Sequence, residues 1–126
     1  MIPVFLYASD EPVRVDQQCL TALVDELGAD EAGDVLFRAM EELAVRLSVA
    51  DSLYTEGQAD GLKRAVGSLC RIAGQIGLHE VCRVGADVTG CLDAGDPVAV
   101  AATFARLQRV CDRSLTAIWD MQTRGT

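Results

Sequence analysis

Residues Arg64 to Leu78, RAVGSLCRIAGQIGL, bring basic, hydroxyl and thiol side chains together in one short segment. Two guanidinium groups, Arg64 and Arg71, accompany the hydroxyl of Ser68 and the thiol of Cys70, with Lys63 just before the segment and the one histidine, His79, just after it. Cations at this spacing attract anionic groups, and Arg71 beside Cys70 would favour a thiolate, because adjacent positive charge lowers a thiol pKa. Cys70 is therefore the candidate reactive cysteine. Ser68 has no histidine base near it in sequence and is a poor nucleophile unaided. His79, beside Glu80 at the start of the next segment, reads as a polar helix-end residue. His79 and Cys82 stand at i and i+3 with Cys91 further along, but the compact ligand pairs of a structural zinc site are absent. Cys82, Cys91 and Cys111 fall on or beside apolar stripes, where cysteine serves as a small buried hydrophobe. Neither a metal nor any other cofactor is expected.

The elements that must position these groups are helical. A first helix is expected from Asp16, as N-cap, to Leu27, stopped by Gly28. From about Glu31 to Tyr54, Leu36, Met40, Leu43, Leu47, Ala50 and Tyr54 recur at alternating steps of four and three, one apolar stripe of a long helix. After a break near Gly57, Leu62, Ala65, Leu69, Ile72 and Ile76 mark a third helix that fades at Gly77. Leu78, Val81, Gly85, Val88 and Leu92 mark a fourth, closed by Ala94-Gly95-Asp96-Pro97, where Asp96 caps a helix whose first residue is Pro97. Val100, Phe104, Leu107, Cys111 and Ile118 line the inner side of the last, with Trp119 expected in the core at the bundle end. Short connections force neighbours to run antiparallel. The expected fold is all-α: an up-down-up-down four-helix bundle with an additional N-terminal helix across one end. One domain is expected, with residues 1–15 an arm, extended or irregular, 16–120 the bundle and 121–126 a tail. With the third-helix stripe turned inward, Lys63, Arg64, Gly67, Arg71, Gly74 and Gln75 lie on its outer face or margins. A mid-helical glycine on that face costs about 1 kcal/mol relative to alanine, so helix stability does not explain Gly67.

Arg64–Leu78 resembles the signature helix of the histidine phosphotransfer (HPt) family, whose pattern is close to His-Ser-Leu-Lys-Gly-x-Ala-Gly-x-x-Gly. Ser68, Leu69, Ala73, Gly74 and Gly77 match it, and the order of segments over about Val13 to Trp119 is similar. In the family the histidine exchanges phosphate with a receiver-domain aspartate, a lysine three positions on helps bind the phosphoryl group, and a glycine one further admits the receiver. Those positions are here Gly67, Cys70 and Arg71, and all three depart. Hydrogen in place of an imidazole supplies no nucleophile for in-line attack at phosphorus. The resemblance thus implies an HPt-like module in two-component phosphorelay signalling that carries no phosphate. It would bind a response-regulator receiver domain or a histidine kinase component through Lys63, Arg64, Gly67, Ser68, Cys70, Arg71, Gly74 and Gln75. The alternatives are a phosphotransferase that uses His79, marked by acid-labile phosphate, and a helical dimer or thiol sensor that keeps only the fold.

Charge narrows the partners further. Residues 1–60 hold 13 acidic and 3 basic side chains, while residues 61–126 hold 6 and 8, within a total of -8. An acidic chain with pI ≈ 4.4 lacks the basic surface that nucleic acid requires. The first residues carry neither a basic n-region nor a sustained apolar core, and no apolar run approaches the roughly 20 residues of a membrane span. Five cysteines without paired spacing suit a reducing compartment. A soluble, cytoplasmic protein is expected, with its remaining positive charge around the signature helix.

Overall fold

A computed structural model describes residues 14–124. These residues form five α-helices and no strand: α1 Gln17–Leu27, α2 Ala29–Thr55, α3 Ala59–Gln75, α4 His79–Ala94 and α5 Pro97–Arg124. Of the expected N-terminal arm, only Arg14 and Val15 fall among the described residues. The last helix runs to Arg124, so positions 121–124 extend it where a tail was expected. None of the helices among the described residues is long and apolar enough to cross a membrane.

Local sequence explains where each helix begins and ends. The Asp16 side chain accepts hydrogen bonds from the backbone N–H groups of Gln18 and Cys19, as an N-cap should. Asp96 caps α5 in the same way, taking the Ala99 N–H at 3.1 Å, with Pro97 following in the first helical position. α2 starts two residues earlier than its apolar stripe suggested, because Gly28 serves at once as the C-cap of α1 and the N-cap of α2. Each of the four connections contains one residue at positive φ, and all four are glycines: Gly28, Gly57, Gly77 and Gly95.

Helices α2 to α5 pack as a bundle in which consecutive helices are neighbours and run antiparallel. Lys63 near the start of α3 meets Asp93 near the end of α4, and Cys70 in mid-α3 meets Cys82 on α4. α5 returns to α2, where Phe104 stacks on Tyr54 with ring centroids 5.0 Å apart and Gln108 Nε2 donates to Asp51 Oδ1 at 3.2 Å. The core holds Leu62, Leu69, Ile76, Leu78, Phe104, Leu107 and Ile118, all fully buried. Every residue of the expected third-helix stripe is buried or half-buried, and so are Val66, Cys70 and Ala73 beside it. α3 lies between two neighbours and therefore buries a wider arc than one stripe.

Two expectations about large side chains change. Trp119 is 53% exposed, because it lies about 100° around α5 from the buried Ile118. Tyr54 ends its stripe at the rim, 36% exposed, with its ring against Phe104.

Candidate functional site on helix α3

The outward face of α3 is built around a position without a side chain. A Cβ added at Gly67 would meet nothing within 4 Å, so that face is open directly above the backbone although the residue itself is half-buried. Arg64 lies three residues before Gly67 and Arg71 four after, which places all three on one face with the arginines about 10 Å apart along the axis. Both arginines are exposed, and neither makes an ion pair among the described residues. Ser68, half-buried, stands beside the glycine, and Gln75, exposed, continues the stripe one turn past Arg71.

Three expected members of the face are placed differently. Lys63 is committed to Asp93, with Nζ 2.6 Å from Oδ1, and so turns toward α4. Gly74 also faces α4: a Cβ there would lie 3.6 Å from Cys82 Sγ. Cys70 departs furthest. Its thiol packs inward against the backbone of Gly85 and lies 3.9 Å from the carbonyl oxygens of Val81 and Cys82, while Cys82 Sγ donates to the Cys70 carbonyl at 3.2 Å. Desolvation, with a smaller contribution from Cys82, pushes the Cys70 thiol up to about 11, opposite to the lowering that Arg71 suggested. Burial outweighs the adjacent charge because the guanidinium points to solvent and the sulfur does not. Cys70 is a packing residue. Its alkylation by iodoacetamide near pH 8 is expected to be about a hundredfold slower in the folded chain than in urea, on the basis of the lost thiolate fraction. Equal rates, followed by mass spectrometry of the Cys70 peptide, would contradict this placement.

Cys82, Cys91 and Cys111 hold to expectation. Cys111 is buried, with its pKa pushed up to about 12 chiefly by desolvation, and Cys82 and Cys91 are half-buried against the core. Among the described residues no group of three His, Cys, Asp or Glu side chains is arranged to hold a metal ion.

Two contributions were hidden from sequence reasoning. Arg38, in the acidic half of the chain, is carried by α2 to a shallow depression shared with Val35, Ala39, Glu42, Ile72 and Gln75. Glu42 is paired with Arg46 at 3.5 Å, and Arg38 makes no ion pair among the described residues, so a third uncommitted cation borders the α3 face. His79 is the second. Its Nε2 lies 2.8 Å from Asp16 Oδ2, so the bond to His79, together with the N–H groups of Cys19 and Gln18, holds the Asp16 carboxyl below its ordinary range. His79 sits at the far end of α3, away from Gly67, as a tie between α1 and α4.

The chain matches no family model, and no curated protein or solved structure shows significant similarity to it. With no nucleophile at its centre, the α3 face is suited to non-covalent recognition of an acidic surface, through Coulomb attraction that salt will screen.

Proposed function

We propose that this protein is a phosphate-free docking module: an HPt-like helical bundle that engages a response-regulator receiver domain, or a histidine kinase component, and carries no phosphoryl group itself. The observation that carries this reading is the open position at Gly67 bracketed by Arg64 and Arg71, which make no ion pair among the described residues. A family histidine would project from that position, and its absence leaves an approachable backbone between two positive charges. Receivers present an acidic pocket, which such a face complements. Occupying the pocket would exclude a competent transferase without any chemistry of its own.

The test is direct binding of the full chain to receiver domains of its own organism, each with and without an acyl-phosphate mimic. Micromolar affinity is expected, weakened tenfold or more by Arg71→Glu, a loss of about 1.4 kcal/mol. The same assay is run with the histidine kinase components, and failure to bind any receiver or any kinase component overturns the proposal. Acid-labile phosphate on the protein would instead favour a phosphotransferase working through His79.

A further inference from the structure

Helix α1 is attached differently from the other four. None of its residues is buried, whereas α2, α3 and α4 each bury at least four. Its attachment is concentrated at the first turn. The Asp16 N–H donates to the Gly77 carbonyl at 3.0 Å, Asp16 Oδ2 meets His79 Nε2 at 2.8 Å, and Cys19 Sγ donates to the Gln75 carbonyl at 3.4 Å. Gly77 makes this clasp possible: it has φ +78°, and a Cβ there would come within 2.9 Å of the Asp16 Cβ. Beyond the clasp, Gln17 Nε2 reaches Met121 Sδ at 3.7 Å, a weak acceptor.

Along the rest of its length α1 covers the bundle only in part: Leu20 is half-buried against the core, while Val24 is 42% exposed. An open apolar groove runs beneath it, with Leu20 and Val24 on one side and Leu36, Ile118 and Met121 on the other. At its far end the single residue Gly28 joins it to α2, at φ 86° and ψ 161°, with nothing within 4 Å of where a Cβ would stand. A glycine in open space can absorb backbone rotation that a larger residue would resist.

From this arrangement we propose that α1 is a hinged strap. It detaches from the four-helix core as a unit, turning at Gly28, far more often than the protein unfolds, and the clasp of Asp16 with His79 and Gly77 sets how often it does so. Segments that bury little apolar surface open first, and a solvent-accessible polar contact adds only modestly to their attachment. Opening uncovers the apolar wall of Leu36, Ile118 and Met121 and releases the Gln75 carbonyl at the end of α3. This inference stands independently of the docking function.

Native-state hydrogen exchange on the full chain tests it. Once detached, a helix of 11 residues is marginal in water and unravels, so backbone amides of residues 20–27 are expected to exchange at least about 100-fold faster than those of Leu69, Val84 and Leu107, with little dependence on low urea concentrations. His79→Ala should accelerate α1 exchange by a further factor of about 3–10 while the core rates, which also report that the variant is folded, stay unchanged. Asp16→Asn should do the same, since it keeps a side-chain oxygen for the N–H groups of Gln18 and Cys19 but loses the charge. Exchange of α1 at core rates overturns the proposal. So does α1 exchange that neither substitution changes, or that accelerates only together with the core.

Discussion

Gly85→Ala is expected to destabilise the protein by about 1–3 kcal/mol, the range for forcing extra volume into a packed core. In an exposed helix the same change would stabilise by about 1 kcal/mol, so the sign itself is diagnostic. The reason is the seam between α3 and α4. A Cβ at Gly85 would lie 2.2 Å from Cys70 Sγ and 3.4 Å from Val66 Cγ1, and Cys70 has only one side-chain torsion with which to retreat. Rotation about that torsion is restricted in a helix, where one of the three staggered positions runs into the preceding turn. Removing the sulfur should therefore rescue the variant: in Cys70→Ala the added methyl at position 85 is expected to cost little or to stabilise. A double-mutant cycle in urea isolates this coupling. A Gly85→Ala protein as stable as the parent, in the presence of Cys70, would show that the helices do not approach so closely.

Phe104→Ala is expected to cost more, about 3–5 kcal/mol, the usual range for truncating a buried aromatic. Phe104 is 2% exposed and provides the ring on which Tyr54 lies, at the place where the first and last helices of the bundle meet. The truncation leaves a cavity in the core and removes the surface that holds the end of α2, next to the side-chain hydrogen bond from Gln108 to Asp51. Urea-induced unfolding should show the full loss in the midpoint, and Tyr54→Ala should show a smaller one because Tyr54 is already 36% exposed. A loss below about 1 kcal/mol for Phe104→Ala would mean that this seam does not hold the bundle closed.

Periodicity made most of the fold legible. Leu36, Leu43 and Ala50, or Leu62, Leu69 and Ile76, recur at steps that only a helix places on one side, and all of them are buried. Capping chemistry at Asp16 and at Asp96-Pro97 placed helix starts to within a residue. The failures share a cause in tertiary geometry. One stripe describes a helix with one neighbour, but α3 has two, so Val66, Cys70 and Ala73 are covered by α4 and the apparent outer margin at Cys70 lies inside. Trp119 was misplaced because a large apolar ring favours burial, whereas on α5 the angular position next to Ile118 decides the matter.

The candidate site was legible only where local spacing determines it. Arg64, Gly67 and Arg71 share a face of one helix, which needs nothing beyond helical geometry. Lys63 shares their charge, but the Asp93 that claims it stands 30 positions away. The tie between Asp16 and His79 spans 63 positions, and Arg38 joins the α3 face only after α2 and α3 have paired. No periodicity announces contacts of that kind.

The single-glycine connections between consecutive helices also bear on how fast the native state is reached. Because α2 pairs with α3, α3 with α4 and α4 with α5, nearly every pairing joins segments adjacent in sequence. Topologies of that kind close short loops and fold in microseconds to milliseconds. The exception is the seam between α2 and α5, where Tyr54 meets Phe104 across 50 positions and Asp51 meets Gln108 across 57, and this seam carries the largest closure entropy within the bundle. That seam would form after the helical hairpins, outside the folding nucleus. Weakening it would then leave the folding rate almost unchanged and shorten the lifetime of the folded protein.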